Sequence, residues 1–182
     1  MVTTNDPELA RQLRMLRNHG QDPEKEDPDF IAPGFNYRMT DFQAALGSVQ
    51  LAKLERIVEA RRRLAAVYDG LFAGTALCIP ARTSGSMSNY QSYVVLLPRE
   101  KCSHRRAIIE DLRAHGIETT IGTYHIPLTR YYRSRYGYRE GQFPVSEAVF
   151  LRALTLPLFE HLGDDEQEAI AGCLLAALER YR

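Results

Sequence analysis

Asn36-Tyr37-Arg38, just beyond Gly34, sets an amide, a phenol and a planar guanidinium side by side. Glycine permits close approach of backbone to a ligand. The amide donates hydrogen bonds, and the arginine fork matches the oxygens of phosphate or carboxylate. On its residues alone the trio reads in two ways, as an anion-recognising turn or as a turn carrying a surface arginine. His125, in Gly122-Thr123-Tyr124-His125-Ile126-Pro127, follows a predicted strand end, a common place for functional side chains. Its imidazole can transfer a proton or bind a substrate oxygen, or it can pack beside Tyr124. Arg130, Tyr131, Tyr132, Arg133, Arg135, Tyr136 and Tyr138 form a third group. They offer ring faces for a base and cations for phosphate, or make a solvated amphipathic segment. His19 is expected to close the first helix on its last carbonyls.

Other chemistries find no support. The chain has no Walker loop, no G-x-G-x-x-G, no H-E-x-x-H and no G-x-S-x-G, so no single motif supplies a whole catalytic site. Cys78, Cys102 and Cys173 are far apart and odd in number. This predicts reduced thiols, with no disulfide framework and no metal site. Lys+Arg and Asp+Glu are both 23, and zero net charge argues against nucleic acid as a partner. The lysines are Lys25, Lys53 and Lys101 alone. No run approaches the roughly 18–20 apolar residues that span a bilayer. Met1–Asp6 lacks the basic and apolar regions of a secretory signal. A cytoplasmic protein without a membrane partner is expected.

The elements that must position these groups follow from periodicity. Asp6 and Pro7 start a helix over 6–17, and a polar, proline-rich loop runs from Asn18 to Pro33. Thr40 or Asp41 caps a long helix to about Gly74, roughly 45 Å if continuous, with a small phase shift after Val49. Beyond it, strands are predicted over 90–97, Ile117–Ile121 and Leu154–Leu156. Between and after them come helices from Ser103 to His115, from Pro144 to about Leu151, and from Asp164 to the end. Residues 122–142 read as a loop. Met1–Thr4 has strand character without an obvious partner. The class is α/β, with an α+β small domain in which helices flank a small sheet.

Several segments together resemble one family. They are Leu16-Arg17-Asn18-His19-Gly20, Gly34-Phe35-Asn36-Tyr37-Arg38-Met39-Thr40-Asp41-Phe42-Gln43-Ala44-Ala45-Leu46-Gly47, Tyr90-Gln91-Ser92-Tyr93, Gly116-Ile117-Glu118-Thr119 and Leu154-Thr155-Leu156-Pro157-Leu158. In this order they resemble the DegT/DnrJ/StrS-type sugar aminotransferases. The resemblance implies the C-terminal part of a fold-type-I transferase dependent on pyridoxal 5′-phosphate (PLP). Residues 1–40 would be the remnant of the large PLP domain and its active-site loop, 41–74 the long connecting helix, and 75–182 the C-terminal small domain. It implies a homo-oligomer with shared active sites, or a need for the N-terminal PLP domain, with a nucleotide-linked keto sugar and an amino donor as substrates.

Residue by residue, Asn36 resembles the contact to the PLP phosphate of a neighbouring subunit. Arg38 resembles a contact to substrate carboxylate or sugar-nucleotide phosphate, with Tyr37 beside it. Tyr124 and His125 fall in what resembles the substrate loop, where many members carry His-Tyr-x-Pro-x-His; this chain departs from that pattern. The family's cofactor lysine and its pyridine-pairing aspartate lie upstream of the segment matched here, and none of the three lysines matches the lysine motif. No catalytic residue is therefore assigned. The chain alone is expected to hold no PLP covalently and to be inactive. The competing expectation is a non-catalytic module that binds a sugar nucleotide or completes a dimer partner's site.

Overall fold

The computed structural model describes residues 2–181, which fall into two compact units that divide between Lys53 and Leu54. In the first unit, α1 spans Pro7–Arg17. It begins where the Asp6 carboxylate accepts the N–H groups of Glu8 at 2.9 Å and Leu9 at 3.2 Å, two of the donors a helix start leaves without partners. Residues 2–4 form no strand, and Met1 lies outside the described residues. An isolated strand leaves its backbone groups unpaired, and no neighbour takes them up among the described residues.

The loop that follows α1 is more ordered than its composition suggests. Two short bridges, Asn18 with Asn36 and Gln21 with Phe30, fold it back on itself. α2 (Asp41–Leu51) opens on a reciprocal capping box. The Thr40 hydroxyl accepts from the Gln43 N–H at 3.2 Å, and the Gln43 side chain accepts from the Thr40 N–H at 3.0 Å, together worth about 1 kcal/mol. Along α2, Phe42, Leu46 and Val49 are exposed.

The long helix expected over 41–74, its continuity left open by the phase shift, is two helices. α2 ends at Leu51 and α3 spans Leu54–Leu71. Lys53 N–H bonds to Gln50 O at 3.1 Å, a tightened terminal turn of the kind that closes a helix. The phase shift after Val49 is the sequence trace of this break.

The second unit carries a three-stranded antiparallel sheet of order β1-β3-β2, with β1 at Tyr93–Leu96, β2 at Thr120–Ile121 and β3 at Ala153–Leu156. Tyr93 faces Leu156 and Leu96 faces Ala153, while Thr120 faces Thr155. The helices are α4 (Arg105–Ala114), α5 (Arg130–Tyr136), α6 (Pro144–Arg152) and α7 (Asp164–Arg180). A short 3-10 helix, Arg99–His104, leads into α4, so the predicted start at Ser103 lies inside it. α5 corrects the loop expected over 122–142. Its seven residues end at Gly137, whose φ of 68° only glycine adopts without strain.

Leu64, Tyr68, Tyr93, Val95, Ile108, Leu154 and Leu174 are fully buried and form the centre of one core. Each large apolar side chain so removed from water contributes about 1.5–3 kcal/mol. Gln167, buried with them, donates to Leu64 O at 3.0 Å and ties α7 to α3. Tyr68 OH donates to Pro157 O at 3.0 Å and Tyr93 OH to the Asp69 carboxylate at 2.8 Å. Burial holds both phenols above the usual tyrosine range, with the Asp69 carboxylate adding to the effect on Tyr93.

Candidate functional site

The first unit brings together two sequence segments that lie far apart in the chain. Phe35 N–H bonds to Leu16 O at 2.7 Å, His19 N–H to Phe35 O at 2.9 Å and Tyr37 N–H to Arg17 O at 3.0 Å. The two chains cross so closely that a Cβ on Gly20 would meet Ala32 O at 1.7 Å, and one on Gly34 would meet Gly20 N at 2.1 Å. Only glycine fits at either position. Gly20 also stands at φ 79°, and the preceding His19 at φ 59°. The closing of α1, expected of the His19 side chain, is performed by backbone: the Asn18 and Gly20 N–H groups both bond to Met15 O.

This crossing fixes a polar network. Arg38 Nη1 donates to Asn18 Oδ1 at 2.7 Å, and Arg38 Nε donates to Asn36 Oδ1 at 3.2 Å. Asn18 Nδ2 in turn donates to Gln21 Oε1 at 2.7 Å. The guanidinium is thus held by two neutral amide oxygens, which orient it and leave its charge uncompensated. With its oxygen engaged, the Asn36 amide keeps its NH2 group to donate outward. Tyr37 stacks on Phe35, with centroids 4.9 Å apart and planes 6° apart, and is otherwise exposed. Asn18 entered the sequence reading only as part of the Leu16-Arg17-Asn18-His19-Gly20 segment, with no role assigned, and Gln21, just after it, was not singled out.

Tyr124 and His125 belong to the second unit. Gly122 carries the chain over the sheet, where a Cβ would meet Val94 Cγ1 at 2.4 Å and Ala153 Cβ at 2.8 Å. Tyr124 is exposed, whereas His125 is only 6% exposed. His125 Nδ1 is 2.8 Å from Ser146 Oγ, and its ring lies against Phe150 with centroids 6.4 Å apart. Its Nε2 is buried without a partner among the described residues. A cavity of about 330 Å³ adjoins it, lined by Tyr124, Leu128, Glu140, Glu147 and Phe150. Arg105 covers Phe150, 5.2 Å from the ring centroid, and burial lowers its pKa. Ser146 is a second contributor that sequence reading passed over, since one serine on a helix carries no signal of its partner.

The three lysines bear on whether a PLP group fits. A lysine that condenses with a carbonyl must shed its proton readily, which desolvation promotes. Lys25 is paired with Asp29 at 2.6 Å, and that hydrogen bond and charge raise its pKa. Lys101 Nζ donates to Tyr181 O at 2.9 Å, and Lys53 follows the end of α2 on the surface. The residues present thus fit a phosphate contact and do not fit the covalent attachment. Among the described residues no helix is long and apolar enough to cross a membrane.

The DegT/DnrJ/EryC1/StrS aminotransferase family matches residues 1–175. The chain belongs to this family. A relative, GDP-perosamine synthase of Caulobacter vibrioides, is 37% identical over 121 residues, 65% of this chain and 32% of that protein. PseC of Helicobacter pylori, an aminotransferase involved in the biosynthesis of pseudoaminic acid, matches with a TM-score of 0.88 at 23% identity. The match covers 98% of this chain and 48% of PseC, and is a likeness of fold. Spr1654 of Streptococcus pneumoniae in its PLP form matches with a TM-score of 0.84 at 27% identity, covering 98% of this chain and 45% of that one. The helices and small antiparallel sheet described above are thus the fold of the C-terminal part of these aminotransferases. The chain spans about half the length of the curated relatives it matches.

Proposed function

We propose that these residues are the C-terminal portion of a PLP-dependent aminotransferase acting on the keto group of a nucleotide-linked sugar, in the making of polysaccharide or antibiotic sugars in the cytoplasm. Residues 1–40 belong with the active-site loop and large-domain side, the 41–74 helices connect, and 75–182 form the small domain. The observation that carries this reading is the Asn18–Asn36–Arg38 network, set where Gly20 and Gly34 cross and joining two of the segments that resemble the family.

When bound, PLP supplies the electron sink that lets an amino group pass from donor to keto sugar. The chain's own part is binding and orientation. The Asn36 NH2 group would donate to the cofactor phosphate of a neighbouring subunit, and Arg38 would offer its free Nη2 to a carboxylate or phosphate of the substrate. By resemblance, Tyr37 in the first unit is a substrate contact beside Arg38, and Tyr124 and His125 in the second unit belong to the substrate loop. The covalent lysine comes from another segment, because Lys25 is paired with Asp29, Lys101 is bonded to Tyr181 O and Lys53 is exposed. The working enzyme is a homo-oligomer or needs an N-terminal PLP domain.

The test is to incubate the chain with PLP, reduce with borohydride and map any modified lysine by mass spectrometry. The expected result is no lysine modified above the background of a denatured control. Stoichiometric modification of one lysine would overturn the assignment of the covalent role to another segment. Saturable nucleotide-sugar binding without transfer, even with a complementary PLP domain supplied, would favour a non-catalytic binding module instead.

A further inference from the structure

Along α6, Val145, Ala148, Val149 and Arg152 recur at i, i+3, i+4 and i+7, the spacing of a helix face that is normally covered. Yet no residue of α6 is buried, and Val145 is 77% exposed. This face and the 3-10 helix Arg99–His104 border a cavity of about 550 Å³, a size that suits small organic molecules. The charge on its walls has one sign. Arg99 and Arg152 line it, and no aspartate or glutamate does. Both cations sit at the same end, because Arg152 is tied twice to Leu97, two residues before Arg99. The Leu97 N–H donates to Arg152 O at 2.9 Å, and Arg152 Nε donates to Leu97 O at 2.7 Å. Arg63, Arg106 and Arg180 meet carboxylates; among the described residues neither Arg99 nor Arg152 does. The negative end of the α6 dipole accounts for Arg152. It does not account for Arg99, which comes from another element. The opposite end of the cavity, at Pro144 and Val145, is apolar and lies roughly 10 Å back along the helix.

We propose that this cavity binds an unbranched carboxylate of medium chain length, with its head at Arg99 and Arg152 and its chain along Val145, Ala148 and Val149. Guanidinium forks match the two oxygens of a carboxylate. With C–C bonds of about 1.5 Å, a zigzag of about eight carbons covers the distance to the apolar end. Arg152 is the anchored fork, held by Leu97 O, and the exposed Arg99 closes over the head group. The site belongs to the second unit and does not depend on the aminotransferase reading.

The experiment is calorimetric titration of the whole chain with octanoate, with butanoate as the shortened probe and octanol as the uncharged one. Amide chemical shifts locate the contact. Saturable 1:1 binding of octanoate is expected, weaker at high salt, with shifts confined to Arg99–His104 and Pro144–Arg152. Butanoate should bind at least about tenfold more weakly, since each buried methylene is worth up to about fourfold. Octanol should also bind about tenfold more weakly, for want of charge-assisted hydrogen bonds. Arg99→Gln should lose about tenfold for octanoate. Arg106→Gln, in α4, paired with Glu110 and outside the cavity, should stay within about twofold, as expected when only diffuse charge is lost. Absence of saturable octanoate binding overturns the proposal, and so does an Arg99→Gln variant that keeps the parent affinity. An equal loss in Arg106→Gln overturns it as well. Equal binding of all three probes would mark an unselective apolar surface and would also overturn it. Shifts of the same amides on raising the protein concentration without octanoate would assign the groove to a second copy of the chain, against the proposal.

Discussion

Asn18, Asn36 and Arg38 are each ordinary surface residue types, and their arrangement gives them a use. An arginine on a loop carries rotamer freedom worth about 2 kcal/mol. Two amide oxygens at 2.7 and 3.2 Å remove much of that freedom in advance. His125 shows the same principle in the interior, with Nδ1 engaged by Ser146 and Nε2 buried and open. Ser146→Ala should leave both ring nitrogens without partners. A buried polar group so stranded costs about 1–3 kcal/mol, so urea unfolding should show a lower midpoint with an unchanged slope. A midpoint unmoved from the parent would mean that the ring turns to water and that the Ser146 contact contributes nothing.

At the scale of elements, the decisive feature is the crossing of 16–20 with 32–37. It depends on glycine at two points where backbone meets backbone. Gly34→Ala places a Cβ 2.1 Å from Gly20 N, a distance that no side-chain rotation relieves. The expected outcome is loss of amide protection at Phe35 and Tyr37 in hydrogen exchange, while α7 keeps its protection. Retained protection at those two amides would show that the crossing tolerates a methyl group.

Much of this level was legible in the sequence. Asp6-Pro7, the Thr40/Gln43 pair and Asp164-Asp165-Glu166 mark helix starts, because local capping needs no tertiary information. The break at Ala52–Lys53 was visible only as a phase shift, since neither residue is a glycine or proline. α5 was hidden because tyrosine and arginine read equally well as loop. Asn18 meeting Arg38 was not legible at all: nothing in a single chain couples residues twenty apart across a loop. The environment of His125 depends on α6 in the same way.

For the whole molecule, two consequences follow. Tyr68 and Tyr93 keep their protons in the folded state above the usual tyrosine range because they are buried. The unfolded chain sheds those protons above about pH 10. Unfolding then releases protons, so stability is fully present below pH 10 and declines as pH rises beyond it. Thermal midpoints measured from pH 8 to 11 should fall on the alkaline side, and Tyr93→Phe should flatten that fall while lowering the midpoint at pH 8. A midpoint independent of pH over that range would remove the linkage.

The second consequence concerns association. Met39, Phe42, Leu46 and Val49 are all more than half exposed, Phe42 at 79%. Contiguous apolar surface of this kind usually has a partner. Light scattering should therefore find self-association that weakens in Phe42→Ser/Leu46→Ser, and a monodisperse monomer would contradict the expectation.

The account holds that this chain contributes phosphate and substrate contacts to an aminotransferase whose covalent lysine resides elsewhere. The most direct test is amino transfer from glutamate to a nucleotide-linked keto sugar with PLP present. The chain would be assayed alone and mixed with a separately produced PLP domain of the same family. Amino-sugar formation in the mixture, and none from either part alone, is the predicted result. Turnover by this chain alone would contradict it.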